Sequence, residues 1–529
     1  MRGADDSAGL NALVASRASR TPEHPLLVDE RGRSMSARAF EEGARRVAGR
    51  LAAAGIRRGS VVSWVLPTGI DALVVAAALS RLGAVQNPII PIYREREIGH
   101  ITDEIATDAF IVTPRWRGFD YLELCRDLAS ARGGRIAVFE IAEVVDESSA
   151  PLPARVRSEA HTELGEAQWV FYTSGSSGLP KGVRHRDTAL VAAASGMVEH
   201  LAMTETDRSG IAFPIAHIGG PINLMGALVS GTTLILIENF DPLRTSEVLT
   251  REGVTMAGSG TAFHLAYLEA QAQRPDEPLF PFLRCCPGGG APKPPGLHER
   301  VKRELGGAGI LSSWGLTEAP VLTMGKASDP DEKLSESEGT ALPGVELRTV
   351  GLDGVPGRPG EPGELRVRAP QVMLGYVDAS LDADAFDAEG WLRTGDLGTI
   401  DAGGYVRITG RLKDVVIRNG ENIGTAEVEE LLRGHPSVAD VAVIGLPDPR
   451  TGERVCAVVE LTPDAPAIDV ESVGNYLEDH GLRRHAWPEQ VETLETLPRT
   501  VAGKIDKRQL QDRLGASGAS ERRGRSPSS

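Results

Sequence analysis

The chain has few cysteines for its length, and it has no excess of positive charge. Its four cysteines among 529 residues (Cys125, Cys285, Cys286 and Cys456) form neither a disulfide framework nor the ligand spacing of a zinc site. The 57 basic and 73 acidic residues give a net charge of −16 at pH 7. This charge argues against a nucleic-acid or anionic-membrane partner.

The N-terminus also lacks the apolar segment of a secretory signal, because Asp5 and Asp6 stand there instead. We therefore expect a cytoplasmic protein. A stretch without charged side chains, from Ile211 to Ile237, is long enough to suggest a membrane span. Prolines and glycines interrupt it and predict a loop, a buried helix near 223–229 and a strand over 234–237, so no transmembrane segment is expected.

What the chain does contain is a run rich in glycine and hydroxyl side chains, from Thr173 to Gly182. It follows an apolar segment, 169–172, that is typical of a buried strand. Glycines let backbone N–H groups approach an anion closely, hydroxyls add donors, and Lys181 supplies a positive charge. The run therefore predicts a phosphate-binding loop. It is not a Walker A loop, which ends in Gly-Lys-Ser/Thr rather than Pro-Lys-Gly.

Helix and strand patterns alternate in the N-terminal part of the chain. Helices are predicted over 37–54, 70–82 and 95–105, and strands over 60–66, 85–90 and 110–113. This alternation predicts an α/β fold with a parallel sheet covered by helices on both faces.

The amino-acid composition changes from residue 335 onward, where glycine and proline become frequent. This change predicts a β-rich subdomain. Strands are predicted over 363–367, 404–408, 438–444 and 455–461, and helices over 426–432 and near 473–482. The elements after residue 410 predict a separate α+β domain. We place the N-terminal domain at 1–410, with the subdomain at about 335–410, the C-terminal domain at 411–514 and a disordered tail at 515–529.

Three further segments carry functional side chains. In Ser313–Glu318 a base can stack on Trp314, while Glu318 can hold Mg²⁺ against phosphate oxygens. A tryptophan here is also consistent with simple core packing. Asp396, which ends a predicted loop, can accept hydrogen bonds from ribose hydroxyls or cap a turn. Lys504 follows a glycine near the C-terminus, where a lysine can equally be a solvated surface residue.

Taken together, these segments resemble the adenylate-forming (AMP-binding) superfamily of acyl-CoA synthetases, adenylation domains and luciferases. The resemblance covers about residues 30–512. The matching motifs are Phe171–Gly182, Gly290–Pro292, Ser313–Glu318, Trp391–Asp396, Gly410–Asp414 and Pro498–Ile505. Trp314 stands where tyrosine is more common in the family, which keeps a stacking face but loses a hydroxyl.

The resemblance implies a large N-terminal domain of stacked βαβ-type sheets with a β-rich subdomain, joined by a hinge to a small α+β C-terminal domain. It also implies a two-step acyl-CoA synthetase reaction that uses ATP, Mg²⁺ and CoA. A carboxylate attacks the α-phosphorus of ATP to give an acyl-adenylate and pyrophosphate, and a thiol then displaces AMP. Lys504 would bridge the carboxylate and the α-phosphate, Thr317 would steady that phosphate, and Glu318 would bind Mg²⁺.

The same resemblance assigns the remaining nucleotide and thiol contacts. The β- and γ-phosphates would be held by Thr173, Ser174, Gly175, Ser176, Ser177, Gly178 and Lys181. The adenine would contact Gly290, Ala291, Pro292, Ser313, Trp314 and Gly315, and the ribose Asp396 and Arg411. Lys413 would be the hinge about which the small domain rotates after adenylation. The thiol tunnel would be lined by Asn419, Gly420, Glu421 and Asn422.

The segment Phe213–Gly220 resembles the entrance of the family's acyl pocket, which places His217 near the substrate carboxylate; a purely structural histidine is the alternative. Amino-acid-activating members carry an aspartate just after the corresponding aromatic residue. Here Pro214 follows, and a buried ammonium without a counter-ion is costly, so an α-amino acid is disfavoured. Segments 86–97 and 116–121 resemble cyclohexanecarboxylate-CoA ligases and medium-chain acyl-CoA synthetases, so we expect an aliphatic medium-chain or alicyclic acid.

Two alternatives stay open. The acyl group could pass to a carrier-protein phosphopantetheine, or to oxygen as in luciferases; because no carrier domain follows residue 512, a carrier would act in trans. The chain could also be a non-catalytic nucleotide-binding protein on the same fold. Lys181, Glu318 and Lys504 argue against that reading. We expect only small-molecule partners (the acid, ATP and CoA), and a homodimer is left open.

Overall fold

The computed structural model of the chain describes residues 9–146, 152, 156, 164–174, 180–289, 293–351, 353–418, 421–448, 451–482, 484–499 and 504–521. The chain divides into two compact units, each described by itself. The first comprises Met1–Leu347, Val367–Arg393 and Gly404–Val406, and the second Arg348–Arg366, Thr394–Gly403 and Arg407–Ser529. The domain boundaries drawn from the sequence stay predictions.

The N-terminal part alternates between helices and strands. In chain order these are α1 (Leu10–Arg20), β1 (Pro25–Asp29), β2 (Ser34–Ser36), α2 (Ala37–Ala53), β3 (Val61–Val65), α3 (Ile70–Leu82), β4 (Val85–Pro88), α4 (Glu95–Glu104), β5 (Ala109–Val112), β6 (Arg115–Trp116), β7 (Phe119–Asp120), α5 (Tyr121–Ala131), β8 (Ala137–Glu140) and α6 (Ile141–Val145). The helices and strands predicted within 37–113 are confirmed.

The middle of the chain continues the pattern. Its elements are β9 (Trp169–Ser174), β10 (Pro180–His185), α7 (Asp187–His200), β11 (Arg208–Ile211), α8 (Gly219–Ser230), β12 (Thr233–Leu236), α9 (Pro242–Arg251), β13 (Met256–Ala257), α10 (Thr261–Ala272), β14 (Cys286–Gly289), α11 (Leu297–Glu304), β15 (Ile310–Leu316), β16 (Ala319–Met324), α12 (Asp331–Glu336) and β17 (Thr340–Ala341). The charge-poor stretch is a loop, helix α8 and strand β12, as predicted. Within the described residues, no helix is long and apolar enough to cross a membrane.

The remaining elements are β18 (Glu346–Val350), β19 (Gly363–Arg368), β20 (Gly375–Tyr376), α13 (Asp382–Ala385), β21 (Leu392–Ile400), β22 (Val406–Arg411), β23 (Val415–Arg418), β24 (Glu421–Gly424), α14 (Thr425–Arg433), β25 (Val438–Asp448), β26 (Gly452–Leu461), α15 (Val470–Asp479), β27 (Gln490–Leu494) and α16 (Lys507–Glu521). Two expectations need correction. Asp396 lies inside strand β21 rather than at the end of a loop, and α16 extends past residue 515, where the tail is predicted to begin.

The largest sheet of the first unit has the strand order β20-β10-β9-β4-β3-β5-β8. Strands β9, β4, β3, β5 and β8 are parallel, which confirms the predicted parallel sheet. All five positions of β3 are buried, as expected for a strand covered on both faces. Strand β10 runs antiparallel to both of its neighbours, β9 and β20. Its antiparallel pairing with β9 needs only the short connection between these two consecutive strands and no crossover.

Besides the two-stranded pair β6–β7, the first unit contains two further sheets. One has the order β13-β11-β12-β1-β2, in which β2 is antiparallel to β1 and the other neighbours are parallel. The other has the order β14-β15-β16-β17, and its β15–β16 hairpin places the segment 317–318 at a turn. The main core contains α3. Nine residues of this helix are buried, and all nine have small or aliphatic side chains.

The second unit is built around the long hairpin β25–β26. Its sheet has the order β24-β23-β26-β25, with β27 parallel to β26. Side chains alternate across β25, so Val441 and Val443 face a core with α14 and α15, while Ala442 and Ile444 pack with Leu510 of α16. A separate sheet pairs β18-β19-β21-β22 and carries Asp396 and Arg411.

Candidate active site

The predicted phosphate loop connects β9 and β10, which are antiparallel and place Lys181 opposite Thr173. The residues Gly175, Ser176, Ser177 and Gly178 lie outside the described part of the chain, and the side chain of Ser174 is not described either. The end of the loop is tied to helix α4, since His100 Nε2 donates to the Pro180 carbonyl at 2.9 Å.

Thr317 and Glu318 form the turn of the β15–β16 hairpin, and neighbouring strands hold this turn through its carbonyls. His185, at the end of β10, donates from Nε2 to the Thr317 carbonyl at 2.7 Å. The backbone N–H of Met373 donates to the Glu318 carbonyl at 2.8 Å. The structure therefore brings the predicted α-phosphate and cation residues next to the strand that begins beside the phosphate loop.

The Glu318 side chain has a partner of its own. The Tyr376 hydroxyl donates to Glu318 Oε1 at 2.8 Å. Burial first, and then the Glu318 charge, raises the pKa of Tyr376, so its hydroxyl stays protonated and able to donate. Burial also lowers the pKa of His185 to about 4, which keeps that ring neutral with its donor proton on Nε2.

Glu318 fits the cation that the family resemblance implies. Carboxylate oxygens suit Mg²⁺, which usually binds through one or two carboxylates together with substrate phosphates and waters. In the part of the chain that the structure describes, no cluster of three or more His, Cys, Asp or Glu side chains could hold a metal. Glu318 supplies one carboxylate, which fits a cation that is held jointly with the phosphates of a nucleotide.

The predicted adenine residues 313–315 lie within β15 and pack closely against its neighbours β14 and β16. Ser313 Oγ donates to the Gly288 carbonyl at 3.0 Å, so this hydroxyl is engaged within the protein. At Gly315 an added Cβ would lie 2.4 Å from the Val321 backbone nitrogen, so no side chain fits there. Trp314 is 7% exposed as a residue, and its contact with adenine stays a prediction beside the core-packing alternative. Gly290, Ala291 and Pro292 lie outside the described residues.

Four of the predicted residues come together in the second unit. Arg411 Nε donates to Asp396 Oδ1 at 2.9 Å, and the Asp396 side chain is only 7% exposed. Lys504 keeps exposed surface as a residue, yet desolvation is the largest cause that lowers the pKa of its amine. The positive charges of Arg411 and Lys413 lower this pKa further, while Asp396 opposes them.

The predicted hinge and thiol segment also lie in the second unit. Lys413 is exposed in a short 3₁₀ turn, Leu412–Asp414, that connects β22 to β23. Glu421 and Asn422 begin β24, which pairs with β23, but their side chains are not described. Asn419 and Gly420 lie outside the described residues.

His217 lies just before α8 and is exposed to solvent. Its Nδ1 accepts a hydrogen bond from the Gly219 backbone N–H at 3.2 Å. The preceding backbone is held by Thr68, whose hydroxyl donates to the Phe213 carbonyl at 3.0 Å and accepts from the Ile215 N–H at 3.2 Å. His217 is therefore not buried as a core histidine would be.

Sequence reasoning missed Tyr376 and His185, which hold the Thr317–Glu318 turn. A signal existed for His185: the two-residue period of a strand places it on the same face of β10 as Lys181. For Tyr376 the sequence offers only a glycine followed by an aromatic residue. Its role depends on the pairing of β20 with β10, which is a tertiary feature.

Comparisons with known proteins agree with these observations. Residues 14–377 match the family model of the AMP-binding enzymes, and residues 427–504 match that of the AMP-binding enzyme C-terminal domain. The medium-chain fatty-acid–CoA ligase of Escherichia coli is 30% identical over 93% of this chain and 88% of that protein. The salicyl-AMP ligase / salicyl-S-ArCP synthetase of Mycobacterium tuberculosis is 32% identical over 96% and 91%.

A solved structure of ATP-bound MatB from Rhodopseudomonas palustris superposes with a TM-score of 0.83 at 25% identity, covering 96% of this chain and 99% of that one. The expected α/β fold, with a large N-terminal and a small C-terminal part, is confirmed. The chain is a ligase and belongs to the adenylate-forming (AMP-binding) enzyme family, as its motifs indicate.

Proposed function

We propose that this enzyme is an AMP-forming acyl-CoA synthetase that converts a carboxylic acid, ATP and CoA into acyl-CoA, AMP and pyrophosphate. The observation that carries this proposal is the grouping of Asp396, Arg411 and Lys504 in the second unit. These are the residues that the family resemblance assigns to ribose binding and to the adenylation step. The name of the Escherichia coli relative, a medium-chain fatty-acid–CoA ligase, supports CoA as the acceptor and an aliphatic acid as the substrate.

Lys504 is suited to bring two anions together. Its amine carries a lowered pKa partly because Arg411 and Lys413 lie near it. A carboxylate and an α-phosphate bound beside this amine would favour its charged form, so the ammonium would be stabilised when both substrates are present. Such a preorganised positive charge stabilises the charge that develops at the α-phosphorus as the acyl-adenylate forms.

The first unit supplies the groups for the phosphates. Thr317 would steady the α-phosphate, and Thr173 and Lys181 would bind the β- and γ-phosphates as pyrophosphate leaves. A Mg²⁺ ion bound by Glu318 would neutralise charge on the phosphate oxygens. The remaining loop and adenine residues, named above from the family motifs, would complete the nucleotide contacts.

The acyl group is proposed to be a medium-chain aliphatic or alicyclic one. Pro214 stands where amino-acid-activating members have an aspartate, and a buried substrate ammonium would have no counter-ion there. The exposed His217 would lie near the substrate carboxylate. Rotation about Lys413 would then expose the adenylate to CoA, whose pantetheine would pass the segment 419–422.

A second candidate is a stand-alone adenylation enzyme that loads the phosphopantetheine of a carrier protein. The observation that favours it is the 32% identity with the salicyl-AMP ligase / salicyl-S-ArCP synthetase of Mycobacterium tuberculosis. Both candidates share the adenylation half-reaction and differ only in the thiol.

The test is a panel of carboxylic acids incubated with the full-length protein, ATP and either CoA or a phosphopantetheinylated carrier protein. AMP release and thioester mass are measured, and benzoic and α-amino acids serve as comparison substrates. The proposal expects acyl-CoA from a medium-chain or alicyclic acid. Thioester formation on the carrier but not on CoA would establish the second candidate. A protein that releases no AMP with any acid would contradict both.

A further inference from the structure

Tyr376 lies outside the six motif segments named above, and the proposed function assigns it no role. It lies in β20, which pairs antiparallel with β10. The backbone on both sides of the tyrosine is fixed to that strand: Leu374 N–H donates to the Arg184 carbonyl at 2.8 Å, and Val377 N–H donates to the Gly182 carbonyl at 2.8 Å. The ring is therefore carried by the strand next to β10, and β10 is the strand that begins beside the phosphate loop.

Two further features hold Tyr376 in place. Its backbone N–H donates to Asp382 Oδ1 at 2.8 Å. The preceding Gly375 has φ +127°, and an added Cβ would lie 2.5 Å from Asp382 Oδ2, so only glycine fits this bend. The direction of the tyrosine side chain is thus set by backbone contacts on both of its flanks.

The side chain contacts two groups of opposite charge. Its hydroxyl donates to Glu318 Oε1 at 2.8 Å. Its ring lies below the Lys181 ammonium, with Nζ 5.8 Å from the ring centroid, which is within the range of a cation–π contact. One residue therefore connects the carboxylate proposed for the cation with the lysine proposed for the phosphates.

We propose that Tyr376 is a positioning residue that orients the Glu318 carboxylate for the divalent cation of the ATP complex. The hydrogen bond to Oε1 would hold the Glu318 carboxylate in one orientation, so its remaining lone pairs would be offered to the cation without rotation of the side chain. This inference rests on the proposed function for its nucleotide. A tyrosine that only fills space would contribute through its ring, and a phenylalanine would then replace it without loss.

The experiment measures ATP binding to the full-length protein by calorimetry at a series of Mg²⁺ concentrations and in EDTA. Loss of a hydrogen-bond partner of a metal ligand commonly weakens metal affinity by about 10- to 100-fold. We therefore expect Tyr376→Phe to need about 10- to 100-fold more Mg²⁺ for the same ATP affinity, with ATP binding in EDTA unchanged.

The matched control is Tyr405→Phe. Tyr405 also donates its hydroxyl to a carboxylate, Asp329 Oδ1 at 3.1 Å, outside the Glu318 cluster. It should leave the Mg²⁺ dependence at the wild-type value. A wild-type Mg²⁺ dependence in Tyr376→Phe, or an equal change in Tyr405→Phe, would overturn the inference.

A second background separates positioning from folding. In Glu318→Gln the cation ligand is already lost, so adding Tyr376→Phe should change the Mg²⁺ dependence little. An equal further loss in that background, including one caused by poor folding, would show a structural role and contradict the inference. Because no acid or thiol is present, the result does not depend on the proposed ligase activity. A protein that makes no acyl-CoA can still confirm the inference about Tyr376. A wild-type protein whose ATP affinity does not change with Mg²⁺ concentration would overturn it.

Discussion

The Thr317–Glu318 turn of the first unit and the Lys504 group of the second are held in different ways. Neutral donors from β10, from β20 and from the segment before β20 hold the turn: His185 Nε2, the Tyr376 hydroxyl and the Met373 N–H. The Lys504 group consists of charges, with the positive Arg411 and Lys413 opposed by the carboxylate of Asp396.

The difference indicates what each group contributes. Neutral hydrogen bonds fix the position of a carbonyl or carboxylate without changing the charge of the site, which suits a preorganised phosphate and cation site. Charges placed around an amine instead set its pKa, and bound anions can change it. Substitutions in the first group should therefore alter geometry and cation affinity, while those in the second should alter charge and pH dependence.

The largest effect is expected for Lys504→Ala. It removes the ammonium that would stabilise the adenylation transition state, and loss of such a group costs about 10²- to 10³-fold in rate. Acid-dependent exchange of pyrophosphate into ATP measures this step, while ATP affinity should stay near the wild-type value. Lys302→Ala, which removes an exposed lysine paired with Asp331, serves as the control. Retained exchange in Lys504→Ala would refute the role of this lysine.

Asp396→Asn should weaken ATP binding by about 10- to 150-fold, since hydrogen bonds to charged groups contribute about 1.5–3 kcal/mol. It should also lower the pKa of Lys504 further, because the negative charge of Asp396 opposes the lowering by desolvation, Arg411 and Lys413. The alkaline limb of the pH–rate profile would then move to lower pH. Asp401→Asn, in the turn after β21, is the matched control. An unchanged ATP affinity together with an unchanged alkaline limb would argue against the Asp396 assignment.

Lys413→Pro should separate the two half-reactions. Proline fixes φ at the proposed hinge, so pyrophosphate exchange should persist while thioester formation falls by about tenfold or more. Lys413→Ala removes the same side chain without restricting the backbone and should affect neither step strongly. Equal losses of both steps in the proline variant would mean that residue 413 is not a hinge.

The smallest expected effect concerns stability rather than rate. His185 has a pKa of about 4 in the folded protein against 6.5 as its ordinary value. Between these values the unfolded chain binds a proton that the folded chain does not, so stability is full above pH 6.5 and falls towards pH 4. The thermal midpoint should drop over that range, and His185→Gln should make the drop shallower. His217→Gln, at an exposed histidine, should leave the drop of the thermal midpoint with pH unchanged. A drop as steep in His185→Gln as in the wild type would contradict the neutral, buried state of His185.

Much of the fold follows from local patterns. The helix over 70–82 and the strand at 61–65 can be predicted because α3 and β3 are mostly apolar and bounded by turn residues. The charge-poor stretch around α8 is resolved by its glycines and prolines in the same way. The sequence also identifies the charged residues of the motifs, because each lies in a segment that resembles a motif of the family. These residues are Glu318, Asp396, Arg411 and Lys504.

What escapes the sequence depends on contacts between distant segments. Asp396 looks like a loop residue because Gly395 precedes it, yet the pairing of β21 with β19 and β22 makes it part of a strand. The antiparallel β10–β20 edge and the Tyr376–Glu318 hydrogen bond arise only when residues 376 and 318 meet in the folded chain. The burial of Trp314 likewise depends on the sheet around it.

The central claim, adenylation followed by transfer to CoA, is tested most directly by a chase experiment on the full-length enzyme. The protein is first incubated with ATP, Mg²⁺ and a medium-chain acid without thiol, and the products are identified by mass. CoA is then added. The account predicts an acyl-adenylate in the first stage and its conversion into acyl-CoA and AMP in the second. Acyl-CoA formation with release of ADP and phosphate, or the absence of an acyl-adenylate for every acid of the panel, would contradict it.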